Sequence, residues 1–129
     1  HRLGTREIEE AVSGHPAVAE ASCIGVEDEI KGTVVIAFVV LRQGYGASDE
    51  LRKEIKQTVR DKLGPIATPK AVEIVQMLPK TRSGKIMRRV LKRVYEGKEL
   101  GDLSTIEDGA SVKEIEAAIE LMKKTLKRE

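Results

Sequence analysis

Between positions 80 and 93 the chain reads KTRSGKIMRRVLKR, seven basic residues in fourteen with no acid among them. A solvated helix face is the plain explanation of such a run, and handling of an anion is the chemical one. The phosphate-loop pattern G-x-x-x-x-G-K-[ST] would need glycine at 79 and Ser or Thr at 86, where this chain has Pro79 and Ile86. That chemistry is excluded on both counts. A different arrangement survives: Thr81, Ser83 and Gly84 make a short polar loop, and Lys85 stands at its end before a helical stretch. An ammonium on a flexible stem suits charge that develops on phosphate and carboxylate oxygens during phosphoryl or adenylyl transfer. Gly84 would let a ligand approach the backbone and would allow angles other residues resist.

The rest of the composition narrows the choices. His1, His15 and the single Cys23 give no zinc-type ligand set and no internal disulfide, which fits an intracellular protein. Basic residues number 23 and acidic ones 21, so no global field marks a nucleic-acid binder. A basic module for nucleic acid or anionic membrane remains the competing function for the 80–93 window. Against it, the window has no aromatic residue to stack bases, and Ile86, Met87, Val90, Leu91 and Val94 have the spacing of core contacts. No run approaches a membrane span and the start HRLGTREIEE has no signal-peptide pattern, so the expectation is a soluble, cytoplasmic protein. The first residue is histidine rather than methionine, which suggests a piece of something longer.

The elements that must position Lys85 are legible from periodicity and punctuation. Thr5 reads as the N-cap of a helix over about 5–14 with Ile8, Ala11 and Val12 on one face, stopped by Gly14 and Pro16. Residues 17–26 and the apolar run Val34 to Leu41 read as strands around an acidic turn, the second of them central and covered on both faces. Ser48 opens a helix with the stripe Leu51, Ile55, Val59 and Leu63, closed by Gly64 and Pro65. AVEIVQM, after Pro69, reads as a third strand. A third helical face starts at Ile86 and ends at Gly97, and Val112, Ile115, Ile119, Met122 and Leu126 form the stripe of a last helix. This order predicts an α+β fold, a small sheet of three or more strands packed with helices, rather than a doubly wound nucleotide fold. One domain is expected from the length, with an α/β core over 1–97 and a C-terminal loop and helix over 98–129.

Five stretches in order resemble the C-terminal domain of AMP-forming acetyl-CoA synthetases, members of the adenylate-forming superfamily. They are HRLGT at 1–5, HPAVAEASCIGVEDEIKG at 15–32, DELRKEIKQTVRDKLGPIATPK at 49–70, LPKTRSGKIMRRVLK at 78–92 and LGDLSTIED at 100–108. The resemblance implies a mobile lid domain whose large N-terminal domain, absent from this chain, holds the acyl pocket and most ATP contacts. It also implies a reaction in which a short-chain carboxylate and ATP give an acyl-adenylate, from which CoA takes the acyl group. By the same resemblance Lys85 is the adenylation lysine, Arg2 an ATP contact, and Arg60 a contact to the phosphate end of CoA. Magnesium would map to Ser13, His15 and Val18, the first and last through backbone carbonyls, with a loop-capping role for His15 as the competing reading. ATP, Mg2+ and CoA are thus the expected cofactors. A propionyl-CoA or other acyl-CoA synthetase and a peptide-synthetase adenylation domain remain alternatives, with LGDLSTIED resembling the acetyl or propionyl group.

Overall fold

The computed structural model describes residues 4–99 and 112–127, which form two compact units, one through Ile74 and one from Val75 onward. The sequence-based division at residue 97 therefore lies well downstream of the boundary between these units.

The first unit holds α1 (Thr5–Ser13), β1 (Val18–Asp28), β2 (Gly32–Leu41), α2 (Asp49–Leu63), a short 3-10 turn at Pro65–Ala67 and β3 (Ala71–Ile74). The strands lie in the order β1-β2-β3, with β1 antiparallel and β3 parallel to β2. Because β2 and β3 run the same way, the chain must cross over between them, and α2 is that crossover. The expected α+β sheet is thus a mixed one of three strands.

Parity along β2 sorts its side chains. Ala37 and Val39 join Cys23, Val72 and Ile74 in a core with Ile8, Ala11 and Val12 of α1 and Leu51, Ile55 and Val59 of α2. Ile36 and Phe38, on the other face, are also fully buried. The run Val34 to Leu41 is apolar for this reason: its centre is covered on both sides. Glu9 closes part of the outer edge of β1. Its carboxylate accepts the Cys23 amide at 2.8 Å and the Ser22 hydroxyl at 3.4 Å, satisfying a strand N–H that no neighbouring strand could reach.

Local chemistry sets the ends of these elements. Ser48 Oγ accepts the Leu51 amide at 3.0 Å and the acids Asp49 and Glu50 fill the first turn, so α2 begins as its sequence predicts. For α1 the cap is Gly4, not Thr5. The Glu7 carboxylate reaches back to accept the Gly4 amide at 2.6 Å, which leaves Thr5 as the first helical residue. The third strand is also shorter than AVEIVQM suggests. It pairs with β2 only over Ala71–Ile74.

The second unit contains α3 (Arg88–Glu96) and α4 (Val112–Lys127), which pack against each other. α3 buries Val90, Leu91 and Val94, and α4 buries Ile115, Ala118, Ile119 and Met122. The expected apolar stripes are therefore real, although α3 begins two residues later than Ile86. Ile86 is held instead in an antiparallel bridge with Lys80.

Candidate functional site

Lys85 sits on the return limb of a tight hairpin spanning residues 79–87, not at a helix terminus. The Met87 amide donates to Pro79 O at 2.9 Å and closes the base. Inside it, the Thr81 amide donates to Lys85 O at 2.8 Å and the Gly84 amide to Thr81 O at 2.9 Å. The Lys85 amide donates to Thr81 Oγ1 at 3.1 Å, and Thr81 Oγ1 shares a hydrogen bond of 3.2 Å with Ser83 Oγ. Gly84 has φ of 95°, the left-handed region that favours glycine, and this lets the chain reverse within so few residues. Arg82, Ser83, Gly84 and Lys85 are exposed. Among the described residues no carboxylate pairs with the Lys85 ammonium.

Charge is concentrated around this hairpin. Arg88 and Arg89 are exposed in the first turn of α3, which holds no acid and has no side-chain cap. Two cations at the positive end of a helix dipole run against the usual preference.

Arg60 is exposed near the C-terminal end of α2, one residue past the fully buried Val59, and its carbonyl accepts the Gly64 amide at 2.8 Å. No described carboxylate pairs with its guanidinium. A planar fork with its donors uncommitted, on a helix anchored by Leu51, Ile55 and Val59, suits a phosphate. Arg2 lies outside the described residues, as does LGDLSTIED.

Ser13, His15 and Val18 do fall at one turn, between α1 and β1. His15, however, has both ring nitrogens engaged. Its Nδ1 accepts the Ala17 amide at 3.0 Å, so the proton is on Nε2, which donates to Glu54 Oε1 at 3.2 Å. The ring does not fit a metal-ligand role, and His15 caps the loop instead. Its own carbonyl accepts the Val18 amide at 3.1 Å. A hard cation at this turn would depend on backbone oxygens of Ser13 and Val18. Among the described residues no group of three or more His, Cys, Asp or Glu side chains converges as a metal site.

Thr81 carries more of the hairpin than its place in a polar loop suggests. The legible signal is a hydroxyl residue three positions before a glycine and four before the lysine, a spacing that lets Oγ1 reach back-turned amides.

Comparison with known proteins agrees with the resemblance. Residues 7–85 match the family described as AMP-binding enzyme C-terminal domain. An acetyl-coenzyme A synthetase of Pyrobaculum aerophilum is 57% identical over 99% of this chain and 19% of its own length. A 3-hydroxypropionyl-coenzyme A synthetase of Metallosphaera sedula is 56% identical over 98% of this chain and 19% of its own length. The chain thus spans about a fifth of these relatives. Among solved structures, the Brucella canis acyl-CoA synthetase matches 76% of this chain and 18% of its own, with a TM-score of 0.70 and 38% identity. Since the family match covers well over half of the sequence and ends at the hairpin lysine, the chain belongs to the AMP-binding enzyme C-terminal domain family.

Proposed function

We propose that this chain is the mobile C-terminal lid of an AMP-forming acyl-CoA ligase that activates acetate, and that Lys85 serves the adenylation half-reaction. The observation that carries the reading is an exposed ammonium, unpaired by any described acid, on a hydrogen-bonded hairpin whose flanks are basic. In the first half-reaction a carboxylate oxygen attacks the α-phosphorus of ATP, the bond to the β-phosphate breaks, and pyrophosphate leaves. Negative charge spreads over the carboxylate and α-phosphate oxygens as this happens. An ammonium delivered there stabilises the transition state while keeping its proton. In the second, the CoA thiol gives up its proton to solvent, its sulfur attacks the acyl carbonyl, and the C–O bond to AMP breaks with AMP leaving. Lys85 has no task in that step, so a domain that rotates can withdraw it.

Arg60 would hold the phosphate end of CoA and Arg2 would contact ATP. Mg2+ would offset phosphate charge when bound, and His15 is not assigned to it. The large N-terminal domain of the same enzyme would supply the acyl pocket and most nucleotide contacts. We place the enzyme in the cytoplasm, in keeping with the single cysteine and with the lack of any described helix long and apolar enough to cross a membrane.

A second acid has a specific observation in its favour, since the similarity to a 3-hydroxypropionyl-coenzyme A synthetase nearly equals that to the acetyl-coenzyme A synthetase. The test is carboxylate-dependent exchange of pyrophosphate into ATP by the longer enzyme, run with acetate, propionate and 3-hydroxypropionate. Acetate as the best substrate is expected. Preference for another of the three moves the assignment to that acid, and no exchange with any of them sinks it.

A further inference from the structure

Lys85 has a long stem, and a long stem delivers its ammonium accurately only if its base is fixed. Packing does not fix it here, because residues 82–85 are all exposed. Hydrogen bonds must. Both main-chain polar groups of Lys85 go to one residue: its carbonyl accepts the Thr81 amide at 2.8 Å, and its amide donates to Thr81 Oγ1 at 3.1 Å. The Thr81 carbonyl also accepts the Gly84 amide at 2.9 Å, so the turn before the lysine is tied to the same point. Two of these bonds use the backbone and would form with any residue at 81. The bond to Oγ1 would not. Its hydroxyl is engaged a second time by Ser83 Oγ at 3.2 Å, which limits its rotation and aims a lone pair at the Lys85 amide.

We infer that the Thr81 hydroxyl is a positioning residue for adenylation, holding the backbone of Lys85 so that its ammonium meets the reacting oxygens. The inference rests on the adenylation role proposed for Lys85. Without the hydroxyl the amide of an exposed loop finds water instead, the hairpin stays closed through its backbone bonds, and the base of the stem wanders. A misplacement of about 1 Å can cost on the order of a hundredfold in rate. The cost should appear in the turnover of adenylation rather than in substrate binding, since the ammonium acts on charge that develops in the transition state.

The experiment compares Thr81→Val, which keeps the shape and removes the hydroxyl, with Thr81→Ser, which keeps the hydroxyl, in the longer enzyme. Thr81→Val should lower kcat for pyrophosphate exchange about 10- to 100-fold with KM for ATP and carboxylate within about threefold. Thr81→Ser should stay within about threefold of wild type. Thioester formation from preformed acyl-adenylate should be unchanged in both, a separation that general loss of structure would not produce. In a Lys85→Ala background Thr81→Val should have no further effect, because two residues acting as one unit are not additive. Equal losses in both half-reactions, wild-type exchange by Thr81→Val, or a further loss in the Lys85→Ala background would each overturn the inference. Wild-type exchange by Lys85→Ala alone would remove the reading of Lys85 beneath it, and the inference with it.

Discussion

Lys70 Nζ donates to Asp28 Oδ1 at 2.9 Å, joining the end of β1 to the residue that leads into β3. The same carboxylate accepts the Lys31 amide at 2.9 Å. The Lys70 hydrogen bond is the larger cause, and together they hold Asp28 below its ordinary pKa. A carboxyl whose pKa is lowered by folding stabilises the folded state above its unfolded value and loses that contribution as pH falls through the folded one. The contribution should therefore be whole at pH 5 to 7 and fade below about pH 4. Denaturant midpoints measured from pH 7 to pH 3 should fall less steeply for Asp28→Asn than for wild type. Parallel curves would show that the pair contributes nothing to acid sensitivity.

His15→Ala should destabilise the domain without altering its use of magnesium. The substitution removes the acceptor of the Ala17 amide and the donor to Glu54. A lost hydrogen bond at a partly buried loop costs about 1 kcal/mol. In the longer enzyme the Mg2+ concentration giving half-maximal exchange should stay within about twofold of wild type, a margin well inside the tenfold that 1.4 kcal/mol represents. A tenfold rise with the stability of the domain unchanged would restore the ring as a metal ligand and contradict the capping role.

Arg60→Ala should weaken CoA and spare adenylation. A charge-assisted phosphate contact is worth roughly 1.5–3 kcal/mol, so apparent CoA affinity should drop about ten- to a hundredfold. The penalty should shrink as salt rises. If wild-type enzyme binds CoA and CoA lacking its 3′-phosphate equally well, Arg60 has some other task.

Ser48, Gly64 and the four-residue stripe from Leu51 made α2 readable to the residue, because its cap, its buried face and its stop are all local. Val34 to Leu41 announced a strand covered on both faces through its unbroken apolar run, and Ile36 to Val39 at its centre are fully buried. The misjudged ends depend on partners the sequence does not display. Glu7 reaching back to Gly4 moved the start of α1, and the bridge between Lys80 and Ile86 took Ile86 out of α3. Glu9 on the edge of β1 is a long-range contact with no periodic signature. Lys85 and Arg60 were visible as residue types and through resemblance. Their geometry was not, and His15 shows the consequence, since a resemblance can map a ring to a metal while hydrogen bonds commit both its nitrogens elsewhere.

The 129-residue chain by itself should make no acyl-CoA, since it carries the lysine without the pockets that orient acid and nucleotide. Thioester formation by this chain alone at a rate near normal turnover would contradict its reading as a lid.

The half-reactions of Lys85→Ala in the longer enzyme test the central claim most directly. Removing one preorganised donor to transition-state charge should suppress carboxylate-dependent pyrophosphate exchange roughly 100- to 1000-fold. Stability should be unaffected, because the side chain is exposed. Acetylation of Lys85 should act like the alanine, as it removes the same charge. Lys92→Ala, outside the hairpin, serves as a control and should cost less than about tenfold. Given preformed acyl-adenylate and CoA, Lys85→Ala should still form the thioester at close to the wild-type rate. Equal impairment of both half-reactions, or of neither, would contradict the assignment of Lys85 to adenylation.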